Sequence, residues 1–239
     1  MDRKSVEVYR LSLFGRMVMG VAHEVDNHLS VVIGFSEIIQ MTASNQQKVV
    51  DGAGKVLSAG EKIEVLIKHF SNYVRPHTPD RDIFAPGDMI TEMLLFSRYD
   101  LGRSGGSVVS PAAYPAGFLQ GDRRDIGLAL LALLFNGAEA MADNGGDLSI
   151  RVLRDDAGWV LSVSDQGTGI PPGFEEKIFE EGFTTKPDPF RMGMGLPVAR
   201  HLFAEAGGTL RLENGQGGGC VATVRLPAVP VGHGARARD

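Results

Sequence analysis

Small and apolar residues recur in alternating steps of four and three at Val18, Ala22, Val25, Leu29, Val32, Ser36 and Ile39. Spacing of this kind gathers them into one stripe along an α-helix. No proline interrupts the chain from Ser5 to Met41, so one long amphipathic helix is expected there. "TASNQQ" then breaks the pattern, with Ser44 and Gln47 at capping-box spacing. A second stripe follows at Val49, Ala53, Val56, Gly60, Ile63, Ile67 and Phe70 and stops before Pro76. Two long helices with a short connection make an antiparallel hairpin. Each stripe is too extensive for the other helix alone to cover, which points to two hairpins pairing into a dimeric four-helix bundle.

The rest of the composition narrows the class. The chain has 239 residues, 43% hydrophobic and 22% charged, as expected of a globular protein with a real core. Its formal net charge of −5 argues against nucleic acid as a partner. A single cysteine, Cys220, excludes an internal disulfide framework and suits a reducing, cytoplasmic location. The longest apolar run, Ile126 to Phe135, falls well short of the roughly 20 residues a membrane-spanning helix needs, so no direct membrane insertion is expected.

"RPHTPDRD", Arg75 to Asp82, is a proline-punctuated linker, and beyond it the pattern becomes mixed α/β. Ile126 to Met141 reads as a buried helix. "LSIRVL" and "WVLSVS" alternate with period two around "RDDAG" and form a hairpin. Leu196 to Ala206 is a further helix, and "GGTLRLE" pairs with "CVATVRL" around a glycine-rich turn. The tail from Val229 reads as loose.

Within the first helix, "GVAHEVDNHLSVVIGF" carries His23, Glu24, Asp26, Asn27 and His28 in an otherwise apolar run. His23 and Asn27, four residues apart, share a face, and His23 lies roughly 160–200° from Val21 and Val25. The imidazole is thus displayed on the side away from the stripe, where its neutral form is a competent nucleophile. Glu24 stands next to it as a proton acceptor or a tautomer-holding partner. An ordinary solvated helix face would look the same, and this helix alone does not decide between them.

The second half does. "VSDQGTGIPP" is a strand ending at Asp165, followed by Gly167 and Gly169, which let the backbone turn against a ligand. "ALLALLFNGAEAM" places Asn136 in an apolar helix, either as a core hydrogen-bonding group or as a ligand-facing one. Downstream come Thr184, Thr185 and Lys186, then Gly193 and Gly195 leading into a helix N-terminus, where backbone N–H groups and the helix dipole favour phosphate. Thr223 lies on the closing strand.

In this order these segments resemble the transmitter core of a two-component sensor histidine kinase, from about Leu11 to Leu226. "AHEVDNHLSVVIGFSEII" is similar to that family's H box, "NGAEAM" to its N box and "DQGTGIPP" to its first glycine box. "FTTK" is similar to its F box, "GMGL" to the second glycine box and "GGGCVATVRLP" to the last. The resemblance implies an α plus α/β fold. A helical hairpin over 1–76 would form the dimeric bundle, with a linker over 77–82, an α/β two-layer sandwich binding ATP over 83–228, and a flexible tail over 229–239.

It also implies roles. His23 would be the phosphoacceptor, Glu24 its acid/base partner, and Asn27 the carboxamide that positions water for dephosphorylating a response regulator. Asn136 would hold the Mg2+ of ATP, and Asp165 would accept from the adenine amino group between Gly167, Gly169 and Ile170. Thr185, Lys186, Gly193, Met194, Gly195 and Leu196 would face the phosphates, with 186–192 as a lid, and Thr223 would line the adenine end. The partners implied are a second copy, a receiver domain bearing the accepting aspartate, and a separate sensory protein or domain.

Three departures accompany the match. His28 stands where the family usually has proline, so the helix should run straight. Arg191 and Met192 replace common glycine and threonine, which shortens the lid. Asp122-Arg123 replaces a frequent Asp-Pro, with no derivable consequence.

Two other readings compete. A histidine phosphotransfer protein would keep the bundle and carry a degenerate ATP domain, yet it would not need Asn136, Asp165 and the turn glycines. An ATP-hydrolysing relative of gyrase or chaperone type would place a general-base glutamate four residues before the asparagine, where this chain has Ala132.

Overall fold

The computed structural model describes residues 1–75, 80–143, 145–185 and 192–229. Two compact units divide the chain: Phe14–His77, and Met1–Leu13 together with Thr78–Asp239.

The first helix, α1, runs unbroken over Arg3–Met41, 39 residues or about 58 Å. It continues through His28, in keeping with the missing proline. After the turn at 42–45, α2 covers Gln46–Val74. Its N-cap is Asn45, whose side chain accepts from Lys48 N–H at 3.1 Å, so the cap falls one residue after the expected Ser44. In this unit α2 buries Gly52, Ala59, Leu66 and Tyr73, seven residues apart, flanked by half-buried Val49, Val56, Ile63 and Phe70. Gly52 sits against Ile39 and the Phe35 carbonyl, which registers the two helices across the turn. The expected stripe was shifted at alternate positions: Ala53, Gly60 and Ile67 face solvent with Val50, Leu57 and Val74. Along α1 the stripe is likewise divided, for Val25, Val32, Ser36 and Ile39 are half-buried while Val18, Ala22 and Leu29 are exposed.

The second unit is a helical layer on a mixed sheet. Asp82–Phe84 (β1) pairs antiparallel with Leu119–Gly121 (β3) as a small separate ladder. The main sheet has the order β2-β4-β5-β7-β6, from Gly106–Val109 (β2), Gly146–Asp155 (β4), Gly158–Ser164 (β5), Thr209–Asn214 (β6) and Cys220–Pro227 (β7). Among the described strands of this sheet, only the β2–β4 pair is parallel. The expected hairpins are both present, β4–β5 across Asp156 and Ala157 and β6–β7 across the glycine-rich turn. Leu148, Ile150 and Val152, then Trp159, Leu161 and Val163, then Ala222, Val224 and Leu226 point to the buried face at every second position.

Helices Pro86–Arg103 (α3), Arg123–Ala140 (α4) and Gly195–Glu205 (α5) cover that face, with α4 between the other two. Ile126 to Phe135 are all buried, which explains a helix apolar on every side. Asp122 caps α4 by accepting from the N–H groups of Arg124 and Asp125, each at 3.0 Å. Arg123, standing where proline is usual, pairs with the buried Glu92 of α3 at 2.9 Å. The departure at this position therefore has a structural use that the sequence reading did not supply. Residues 82–121, where the sequence pattern predicts no element, supply α3 and three strands.

Candidate nucleotide site

The site is built from the C-terminal half of α4, the loop after β5 and the start of α5. Asp165 follows β5, and its position is held by the opening of β7. Asp165 N–H donates to the Cys220 carbonyl at 3.0 Å. Its carboxylate Oδ1 accepts from Gly167 N–H at 2.9 Å and Cys220 N–H at 3.2 Å. A carboxylate holding two backbone donors is anchored in direction as well as place.

The loop lies directly on α4. A Cβ on Gly167 would stand 2.5 Å from the backbone of Ala140, and one on Gly137 would meet Leu148 at 2.6 Å and the Asp165 side chain at 3.5 Å. Gly167 admits only glycine if helix and loop are to approach this closely, whereas at Gly137 the near atom is the movable end of Leu148 and the Asp165 side chain stands at ordinary contact distance. Thr168 N–H donates to the Ala140 carbonyl at 3.3 Å, completing the contact. Asn136 lies on the same half of α4, half-buried. Its Oδ1 would be 3.7 Å from a Cβ on Gly195, so the carboxamide oxygen stands beside the first residue of α5.

The N-cap of α5 is Met194, and it makes no side-chain capping bond, which leaves the first-turn amides of that helix to other acceptors. Gly182 N–H donates to the Gly193 carbonyl at 3.2 Å, so the segments on either side of 186–191 are brought together. Lys186 itself, named from the F box, lies outside the described residues. Thr185 is exposed, Ile170 is buried, and Met194 and Leu196 are half-buried.

Thr223 is not brought to this site. The ladder sets it opposite Ser162, and the alternation along β7 puts it on the face away from the helices. The residue beside Asp165 is Cys220, whose thiol is pushed up to about 12, first by burial and then by the Asp165 and Glu213 carboxylates. Two further residues escaped the sequence reading. Asn214, at the end of β6, hydrogen-bonds both the N–H and the carbonyl of Ile170. Tyr9, from Met1–Leu13, reaches the spot that Asn136 and Gly195 share: its hydroxyl would be 3.1 Å from a Cβ on Gly195. The next residue, Arg10, is ion-paired with Asp125 in the first turn of α4. No motif signalled either one.

In the other unit, His23 and Asn27 are exposed on α1 and Glu24 is half-buried. The stripe residues Val18, Ala22 and Leu29 are exposed on the same helix, so exposure by itself does not separate the His23 face from the stripe. Among the described residues no helix is long and apolar enough to cross a membrane.

Residues 121–230 match the family described as Histidine kinase-, DNA gyrase B-, and HSP90-like ATPase. The match falls on this part of the chain, the α/β unit beyond the hairpin. It contains the Asp165 loop, Asn136 and the start of α5. The two-component sensor PprA of Pseudomonas aeruginosa is 31% identical over 235 residues, covering 91% of this chain and 25% of that protein. The catalytic domain of the histidine kinase ThkA superposes with a TM-score of 0.56 at 26% identity, over 62% of this chain and 95% of that one. A crystal structure of ThkA in complex with the response regulator protein TrrA shares the fold over 94% of this chain and 65% of that one, with a TM-score of 0.55 at 23% identity. The chain spans about a quarter to a half of the length of the curated relatives it matches. A helical region followed by this ATPase domain is the layout of a sensor histidine kinase transmitter core.

Proposed function

We propose that this chain is an ATP-dependent protein histidine kinase core. It phosphorylates itself on His23 and passes the phosphoryl group to an aspartate of a response regulator. The observation that carries the reading is the assembled loop: Asp165 fixed by Gly167 and Cys220, lying on the helix that presents Asn136 next to the uncapped start of α5. A fixed carboxylate suits the adenine amino group, and α5 offers backbone donors to phosphate.

The transfer itself is mostly positioning. The unprotonated ring nitrogen of His23 attacks the γ-phosphorus, the P–N bond forms as the bond to the bridging oxygen breaks, and ADP leaves with that electron pair. Glu24 holds or accepts the proton on the other ring nitrogen. Asn136 fits Mg2+ through its carboxamide oxygen, since this ion keeps several waters and takes its remaining ligands from substrate phosphates. Bound there, the ion would neutralise charge on the transferring phosphoryl group. Lys186, within the short lid, would add a cation at the same end. Asn27, one turn after His23, would orient water for removing phosphate from the regulator. Ala132, one turn before Asn136, has no proton-accepting group, which favours transfer to histidine over hydrolysis.

Incubation with radiolabelled ATP should give an acid-labile, base-stable adduct. It should be absent in His23→Gln, and absent in Asp165→Asn because nucleotide no longer binds. An adduct that resists acid or persists in His23→Gln would refute the assignment. A protein that takes phosphate from a phosphorylated receiver but never from ATP would instead be a phosphotransfer relay.

A further inference from the structure

The turn between β6 and β7 is tied to the loop after β5 at two places. One is the Asp165–Cys220 pair already described. At the other, Asn214 grips a single residue with both ends of its carboxamide. Its Oδ1 accepts from Ile170 N–H at 2.6 Å, and its Nδ2 donates to the Ile170 carbonyl at 2.9 Å. A carboxamide used this way replaces a neighbouring strand for one residue, satisfying a donor and an acceptor that the loop lacks partners for in its own backbone. The approach is close enough to dictate the preceding residue. Gly169 has φ +69°, and a Cβ there would lie 2.7 Å from Asn214 Oδ1. The Ile170 side chain is buried, so the residue is gripped from both sides.

We propose that Asn214 is a positioning residue for nucleotide binding. It fixes the Gly169–Ile170 segment, and with it the loop that begins at Asp165, so that the base meets a preorganised surface. This rests on the reading of Asp165–Ile170 as the base-binding loop. A loop held in its bound shape needs no ordering when ligand arrives, whereas a loosened one must be ordered at the expense of affinity. Because the loop serves the base end of the nucleotide, the loss should fall on affinity and leave the rate at saturating ATP alone.

The test uses the full chain, with ADP titrated by calorimetry, autophosphorylation followed against ATP concentration, and amide hydrogen exchange of Ile170 without nucleotide. In Asn214→Ala, the ADP Kd and the KM for ATP should rise about tenfold, with the rate at saturation within about twofold of wild type. Exchange at Ile170 should quicken. Asn214→Asp keeps the acceptor for Ile170 N–H and loses the donor, so its Kd should fall between the two. A lower Tm with unchanged Kd, KM and exchange would overturn the proposal and leave Asn214 a structural residue. Wild-type protein that binds ADP beside an Asn214→Ala variant within twofold of it overturns this proposal alone. Wild-type protein that fails to bind ADP overturns the loop reading and the proposal together.

Discussion

Cys220 and Thr223 stand three residues apart on one strand, and only Cys220 meets the loop that begins at Asp165. Thr223 was named at the adenine end by the family resemblance, through the glycine-rich motif in which it stands. Strand register decides otherwise: Asn214 pairs with Cys220 and Ser164 with Val221, which brings the start of β7 level with Asp165. Register depends on which strands pair and where, and one strand's own residues do not state it. The cysteine is shielded by this placement. Its thiol keeps its proton to about 12 in the folded protein against 9.0 for a free thiol, so little thiolate is available near neutrality. Iodoacetamide at pH 8 should therefore label native protein far more slowly than urea-unfolded protein; equal rates would contradict the burial. Between pH 9 and about 12 the unfolded chain releases this proton while the folded chain holds it, so stability should fall as pH rises through that window. Below pH 9 the contribution is fully present.

At the scale of elements, four of the five described helices were legible in the sequence, while α3 and the shortest strands were not. Asn45 and Ser44 are both good N-cap residues, and spacing to Gln47 favoured the serine. The chain enters the helix one residue later, and Asn45 takes the role. Asn45→Ala should lower the stability of the helical unit by about 1 kcal/mol, read from its thermal transition by circular dichroism. Ser44→Ala should stay within about 0.5 kcal/mol of wild type. The reverse order of effects would return the cap to Ser44. In the ATPase domain α4 announced itself through unbroken apolarity, and the two hairpins through period-two alternation. The short ladder of β1 and β3 and the parallel edge strand β2 did not, because elements of three and four residues carry too few positions for a period to register.

For the molecule as a whole, the informative surface is the one the hairpin leaves exposed. On α2 the residues facing α1 and those facing solvent form two adjacent heptad stripes, and both are apolar. Val50, Leu57, Ile67 and Val74 are 59%, 65%, 47% and 41% exposed. Val18, Leu29 and Ile33 continue such a surface on α1. Apolar stripes of this length are what a second hairpin would cover, in the four-helix arrangement that the proposed kinase requires. The double variant Leu57→Glu, Ile67→Glu should reduce the molar mass in solution, measured by light scattering, from two chains to one. Its ATPase domain should still bind ADP, since neither residue belongs to that unit. A wild-type protein that is monomeric at tens of micromolar would remove the four-helix bundle from the proposal.

The sequence alone determined those features that order and period along one chain dictate. It placed the two hairpin helices with α4 and α5, the alternating strands, the polar island around His23, Asn136 as a carboxamide in an apolar helix, and Asp165 at a strand end ahead of turn glycines. Those properties are local, fixed by helical pitch, strand pleat and the cost of burying a carboxamide or carboxylate without a partner. Only the tertiary structure decided which distant segments meet. Asn214 grips Ile170 from 44 residues away and Cys220 holds Asp165 from 55, and no local pattern encodes either pairing. Contacts of that separation arise when sheet register and helix packing are settled together, and the loop from Asp165 to Ile170 takes its shape from them.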